Sequence, residues 1–308
     1  MRTPLVALSR IGRGLPVPIL AKCEQLQPGG SVKDRIAAAI VDDAEARGRL
    51  RPGGTVIEAT AGNTGFGLQL VTAARGYQLV CVMPAKMSPD KRLALEAKGV
   101  RVIITPNRPP GDPENFQVVA ERLAVENGWF LGDQFRNPAN VRAHQTTTGP
   151  ELFEQTGGRI GAFVAGAGTG GTITGVGRFL KARLPAVRIV LADPVGSLLA
   201  EWSRTGLLGA DGPYLVEGIG SSKPPEILDR TVIDAAESVS DADSFAMCRR
   251  LHHEEQLAVG GSAGTAVVAA VRVASSGMVD GPVVVLLPDS SDRYRSQPWM
   301  SCVILESC

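Results

Sequence analysis

Residues 55–65 read Thr55-Val56-Ile57-Glu58-Ala59-Thr60-Ala61-Gly62-Asn63-Thr64-Gly65. A β-branched run enters a turn of small and hydroxyl residues, and residues 65–74 after it read as a helix. The same strand–turn–helix unit recurs along the chain. Residues 79–83 form the next strand, ended by Pro84; Ser88 opens a helix as its cap, Asp90 sits in the first turn, and Gly99 closes it. Residues 100–105 are a further strand, and residues 161–165, 188–192 and 283–287 are apolar runs of strand length. Strands alternating with helices imply parallel sheets covered on both faces. Sheets of that kind bind ligands at the carboxyl ends of their strands, so the chemistry belongs in the loops that follow them.

The rest of the composition narrows the class. A chain of 308 residues suits two lobes or one large α/β domain. A net charge of +1 gives no argument for a nucleic-acid surface or an acidic partner. No apolar stretch approaches the ~20 residues of a membrane span. Residues 1–10 hold no apolar core followed by a cleavage site, so no secretory signal is read. Five cysteines without a Cys-x-x-Cys pair point to reduced thiols in a cytoplasm and to no structural metal.

Three loops stand out. Pro28-Gly29-Gly30-Ser31-Val32-Lys33-Asp34-Arg35 opens a helix over 36–46, with Ser31 as a cap. Taken alone, Lys33 there is a solvated first-turn lysine; against a helix N-terminus its pKa would fall, which suits Schiff-base chemistry. Thr60–Gly65 is the second loop, either a nest of free N–H groups for a carboxylate or phosphate, or an ordinary tight turn. The third, Gly166-Ala167-Gly168-Thr169-Gly170-Gly171-Thr172, lets backbone amides approach a phosphate and adds two hydroxyls. It also spells Gly166-x-Gly168-x-x-Gly171, with Asp193 ending the next strand. A nicotinamide-dependent oxidoreductase is therefore a rival reading.

Together these loops resemble the cysteine synthase and cystathionine β-synthase family of fold-type II pyridoxal-phosphate enzymes. The resemblance runs from about residue 15 to residue 295. It is carried, in order, by Lys22-Cys23-Glu24, Gly29–Arg35, Thr60–Gly65, Met83-Pro84, Gln134-Phe135, Asn137-Pro138-Ala139-Asn140, Gly168–Thr172, Glu217-Gly218-Ile219-Gly220, Gly260-Gly261-Ser262-Ala263-Gly264 and Leu287-Pro288-Asp289-Ser290. The last glycine run and Glu217–Gly220 look most like the cystathionine β-synthase branch. The chain reads as a minimal catalytic core of it, without that branch's haem-binding extension or C-terminal regulatory module.

The resemblance implies roles by position. Lys33 would hold pyridoxal 5'-phosphate and later shuttle the α-proton. Asn63 would bond the cofactor's ring hydroxyl, Gly168, Thr169, Gly170, Gly171 and Thr172 would cradle its phosphate, and Ser262 would face its ring nitrogen. Thr60, Ala61, Gly62, Thr64 and Gln134 would surround the substrate carboxylate, and Gly218 would lie near the substrate amine. The implied reaction is β-replacement on O-acetylserine, serine or another O-activated serine through an aminoacrylate, with sulfide or a thiol such as homocysteine as nucleophile. A deaminase or desulfhydrase releasing pyruvate is the alternative within the same chemistry.

The implied fold is α/β with two lobes, each a largely parallel sheet flanked by helices. Residues 1–37 and 138–308 would form the larger, cofactor-binding lobe, and residues 38–137 a small mobile lobe that closes over substrate. A homodimer is implied as well. Two positions depart from the family pattern. Ala61 stands where a serine is usual, and Ser221-Ser222-Lys223-Pro224-Pro225 replaces an aromatic stretch near the pocket mouth. Outside the motifs, His144 is expected to cap or pack, and His252 and His253 to lie on a solvated helix face.

Overall fold

The computed structural model describes residues 2–300. The chain opens with β1 (Leu5–Ala7) and β2 (Ile19–Cys23), then helix α1 (Lys33–Ala46). The next segment alternates β3 (Thr55–Ala59), α2 (Asn63–Arg75), β4 (Gln78–Pro84), α3 (Pro89–Glu96), β5 (Arg101–Thr105), α4 (Phe116–Asn127) and β6 (Phe130–Leu131). After α5 (Pro138–Ala143) and α6 (Gly149–Gln155) come β7 (Ala162–Gly166), α7 (Gly171–Lys181), β8 (Arg188–Pro194) and α8 (Leu199–Thr205). The chain then runs through β9 (Ala235–Val239), α9 (Asp241–Glu255), α10 (Gly261–Ser275) and β10 (Val283–Leu287).

These strands build two sheets. One has the order β1-β2-β10-β7-β8-β9, all parallel except for the β1–β2 pair, and the other has the order β5-β4-β3-β6, all parallel. The fold is therefore α/β, two lobes each with a largely parallel sheet flanked by helices. β10 shows why its sequence suits this place. Val283, Val285 and Leu287 enter one apolar cluster with α10, and Val284 and Leu286 enter another with α7. A strand buried on both faces needs a continuous apolar run rather than alternation. The four-stranded sheet is likewise covered on both faces, by α1 and α2 on one side and α4 on the other.

The order of the six strands also places the site. From β7 the chain crosses to β8 on one side, while β10 arrives on the other, so the crevice at their carboxyl ends is a topological switch point.

Local chemistry departs from the sequence reading at two helix starts. α1 begins at Lys33 rather than 36, its N-cap is Val32, and no side chain caps it, so Ser31 does not take that role. Asp34 instead accepts from the Gly29 N–H at 2.5 Å and folds the glycine turn onto the helix. Ser88 is the N-cap of α3, but its buried Oγ makes no hydrogen bond among the described residues. Pro89 has no N–H to give, and its fixed φ begins the helix without the bond. No helix of the described residues is long and apolar enough to cross a membrane. Cys23, Cys81 and Cys248 are buried free thiols, while Cys302 and Cys308 lie outside the described residues.

Candidate active site

The ends of β7 and β10 and the starts of α1, α2, α7 and α10 converge on a cleft at the switch point. It is lined by Val32, Lys33, Asn63, Gly166, Gly168, Thr169, Gly170, Thr172, Gly218, Ile219, Ser262, Leu286 and Pro288. Lys33, Asn63, Gly168, Thr169, Gly170, Thr172, Gly218 and Ser262 were all singled out in the sequence.

Lys33 reaches the cleft because α1 is anchored at its first turn. The Val32 N–H bonds the Pro288 carbonyl at 2.8 Å. Arg35 forks onto Glu24 at 2.7 and 2.8 Å and onto Glu151 at 2.7 and 2.8 Å, and Lys22 joins Glu151 at 2.7 Å. Paired charged hydrogen bonds of this kind fix orientation as well as position. Burial lowers the pKa of Lys33, opposed by the carboxylate of Asp289.

The Gly166–Thr172 turn faces Lys33. A Cβ at Gly168 would overlap the Gly218 carbonyl oxygen, and one at Gly170, where φ is +84°, would meet Leu228 at 2.5 Å. The tight approach therefore requires glycine. Gly170 is the N-cap of α7 and carries no capping side chain; the Gly171 N–H makes a long contact to Thr169 Oγ1 at 3.4 Å, and the helix start presents its N–H groups to an anion. Gly171 is not part of the cleft lining, and its α-carbon packs on the Asn140 amide oxygen.

Thr60, Gly62, Thr64 and Gln134 form a cluster beside the cleft, joined to it through Asn63 at the start of α2. Thr60 Oγ1 accepts from the Gly62 N–H at 2.9 Å. Thr64 Oγ1 donates to Gln134 Oε1 at 2.5 Å, and Gln134 Nε2 donates to the Ala59 carbonyl at 2.9 Å. Gly62 holds φ +126°, with Lys91 packed against its α-carbon. Ala61 is half-buried between them.

Several residues that support the site went unassigned in the sequence. Asn140 donates to the Gln134 carbonyl at 2.8 Å and to Thr169 Oγ1 at 3.0 Å, tying the two loops together. His144 lies in a π-helical turn, His144–Thr148, between α5 and α6. Its ring bridges Thr148 Oγ1 at 2.9 Å and Thr172 Oγ1 at 3.2 Å. Burial, with Arg35 and Lys33 nearby, holds it well below its usual pKa range. Glu58, fully buried at the end of β3, has its pKa pushed up to about 8 by burial, and accepts from the Gln134 N–H at 3.4 Å. Asp289 accepts from Asn63 Nδ2 at 2.7 Å and from the Tyr294 hydroxyl at 2.6 Å. Asn140 and Asp289 sit in motifs quoted above, but nothing local marks what they touch. His252 and His253 are half-buried on α9, edge to face at 5.2 Å, rather than on an open face.

The dinucleotide reading fails on Asp193. That residue is fully buried, its carboxylate accepts from the Ala200 N–H at 2.8 Å, and it is committed to the start of α8 rather than open to a ribose. The groups present fit a phosphorylated aldehyde instead: a glycine cradle too tight for any Cβ, the Lys33 amine in the same cleft, and an unpartnered buried Asn63 Oδ1 among the described residues.

An α/β fold with that combination at its switch point defines a cofactor-dependent enzyme of amino-acid chemistry. The chain belongs to the pyridoxal-phosphate dependent enzymes, whose family profile matches residues 1–289. It is 46% identical over 300 residues to the cystathionine beta-synthase of Oryctolagus cuniculus, covering 96% of this chain and 54% of that protein. It is 44% identical over 308 residues to the cystathionine beta-synthase of Apis mellifera, covering 97% and 60%. The chain thus spans somewhat more than half the length of the curated relatives it matches. Among solved structures, O-ureido-L-serine synthase superimposes with a TM-score of 0.89 at 36% identity, covering 97% of this chain and 92% of that one. An O-acetylserine dependent cystathionine beta-synthase from Helicobacter pylori gives 0.89 at 36%, covering 96% and 95%.

Proposed function

We propose that the chain catalyses β-replacement on serine or an O-activated serine such as O-acetylserine, with sulfide or a thiol such as homocysteine as the incoming nucleophile. The observation that carries this reading is the placement of the Lys33 amine in one cleft with the Gly168–Thr172 turn, directly beside the Thr60–Thr64 loop. Relatives named cystathionine beta-synthase and neighbours named for O-acetylserine and O-ureido-L-serine support a serine-derived donor.

Bound pyridoxal phosphate supplies the electron sink that lets a proton leave the α-carbon and a substituent leave the β-carbon of an amino acid. In this reading the Gly168–Gly171 amides and the Thr169 and Thr172 hydroxyls hold its phosphate, and His144 orients Thr172. Ser262 offers the ring nitrogen a neutral hydroxyl rather than a carboxylate. This limits charge build-up there and favours loss of the β-substituent over transamination. Lys33 holds the cofactor and moves the α-proton, and its burial lowers the basicity of the amine.

The substrate carboxylate meets the Thr60–Thr64 turn and the N–H groups at the start of α2, with Gln134 closing the far side. Gly218 lies near the substrate amine. Residues 38–137 act as the small lobe, closing over the carboxylate to exclude water, while residues 1–37 and 138–308 form the larger one. The working unit is a homodimer.

The test is a visible spectrum of the purified protein followed by product analysis. A visible cofactor band is expected that disappears in Lys33→Ala. O-Acetylserine or serine is expected to perturb it, with sulfide or homocysteine then yielding a thioether or cysteine. A band unaffected by Lys33→Ala would overturn the assignment of the lysine. Release of pyruvate and ammonia at the same rate with and without thiol would replace β-replacement by elimination.

A further inference from the structure

Asp289 follows Pro288 at the carboxyl end of β10 and is 1% exposed. Both of its donors converge on one oxygen: Asn63 Nδ2 at 2.7 Å and the Tyr294 hydroxyl at 2.6 Å. A carboxylate only accepts, so this contact decides which way the Asn63 amide is turned. One N–H is spent on Asp289, and the second N–H and the unpartnered Oδ1 are left to the cleft that Asn63 lines.

The same residue fixes the opposite edge of the cleft. The Gly260 N–H donates to the Asp289 carbonyl at 3.0 Å. The other carboxylate oxygen lies so close to the Gly260 α-carbon that any Cβ there would overlap it. Gly260 stands two residues before Ser262. Asp289 therefore touches both the residue read as the partner of the cofactor's ring hydroxyl and the turn that carries the residue read as the partner of its ring nitrogen.

We infer that Asp289 is a positioning residue for the cofactor ring, locking the Asn63 amide through its side chain and the Gly260–Ser262 turn through its backbone and its shape. The inference rests on the reading that Lys33 and Asn63 hold pyridoxal phosphate. Its negative charge has a further consequence. Lys33, Arg293, Tyr294 and Cys248 are the titratable groups that feel this charge, with Glu217 also acting on Tyr294, and on Lys33 it favours the charged amine.

Three variants of the holoenzyme separate these roles. Asp289→Asn keeps one oxygen for both donors and removes the charge. Asp289→Ala removes the charge and both bonds. Tyr294→Phe removes one donor and leaves the Asn63 lock.

Cofactor affinity is read by titrating pyridoxal phosphate into each resolved apoenzyme, together with the position of the visible band and the pH midpoint of its titration. Asp289→Ala is expected to weaken affinity about tenfold or more and to displace the band, as loss of a charge-assisted contact implies. Asp289→Asn is expected to restore the band and to move its pH midpoint downward. Tyr294→Phe is expected to keep both affinity and band.

Affinity, band and midpoint unchanged in Asp289→Ala would overturn the inference. Equal losses in Asp289→Ala and Tyr294→Phe, without rescue by Asp289→Asn, would overturn it too, leaving a structural contact only. A band that survives Lys33→Ala defeats the underlying reading instead, so the two failures are distinguishable.

Discussion

The Lys91 ammonium lies 2.7 Å from the Glu217 carboxylate, in a pair whose lysine side chain is only 1% exposed. Lys91 belongs to α3, beside the four-stranded sheet, and Glu217 immediately precedes Gly218 of the cleft. The lysine also packs on Gly62 and lies 4.2 Å above the Tyr294 ring. Gln297 donates to the other Glu217 oxygen at 3.2 Å, and the Ser296 N–H reaches Asp90 at 2.8 Å. One buried ion pair thus joins α3, packed on Gly62 of the Thr60–Thr64 loop, to the segment that carries Gly218 of the cleft.

Removing Lys91 leaves the Glu217 carboxylate without its countercharge, held by the neutral Gln297 amide. Lys91→Met is expected to cost about 3–5 kcal/mol of unfolding free energy. Lys91→Met with Glu217→Gln is expected to recover a large part of that loss. Chemical denaturation of the two single variants and the double variant measures the coupling, and additive losses would contradict it.

Glu58 makes stability depend on pH in an unusual direction for a carboxylate. Its pKa in the folded chain is about 8, against 4.5 unfolded. Between those values the native state holds a proton that the unfolded state has released. Stability therefore falls as pH rises through this window, by at most ~1.4 kcal/mol per pH unit for this one group. Glu58→Gln is expected to flatten that slope between about pH 5 and 8. Melting temperatures of both proteins across the range check it.

Gly168→Ala places a methyl group on the Gly218 carbonyl oxygen. The turn must move by more than a side-chain adjustment, at a cost of about 1–3 kcal/mol. Far-ultraviolet circular dichroism is expected to stay native while pyridoxal phosphate retention after gel filtration falls sharply.

Ala61→Ser adds a hydroxyl to the Thr60–Thr64 loop, proposed above to meet the substrate carboxylate. One neutral hydrogen bond of about 0.5–1.5 kcal/mol corresponds to roughly a 2- to 12-fold gain in donor binding. Spectral titration with O-acetylserine measures it. A gain confined to serine and absent for O-acetylserine would show that position 61 chooses between donors.

Much of the architecture is legible locally. Val283–Leu287 is apolar at every position, so it had to be a strand buried on both faces, and its run ends where the structure ends it. The glycines at 168, 170 and 171 mark a turn whose backbone must approach something closely. Lys33 behind Gly29-Gly30-Ser31 marks a lysine at a helix start. These signals are short-range, because strand pattern, turn chemistry and helix initiation depend on residues within a few positions of one another. Helix caps are where such reasoning slipped: at Ser31 the Asp34 carboxylate took the glycine turn, and at Ser88 a proline made the bond unnecessary.

The sequence by itself therefore determined the α/β class, the strand-end loops and the lysine. Only the tertiary structure decided which of those loops meet. Asp289 reaches Asn63 across 226 positions and Lys91 reaches Glu217 across 126. The first contact exists because the last strand enters between β2 and β7 and so sets its carboxyl end, with Asp289 just beyond it, beside the starts of α1 and α2. That insertion is a choice among packings of the whole chain, settled by burying two apolar faces at once, and no neighbouring residues record it.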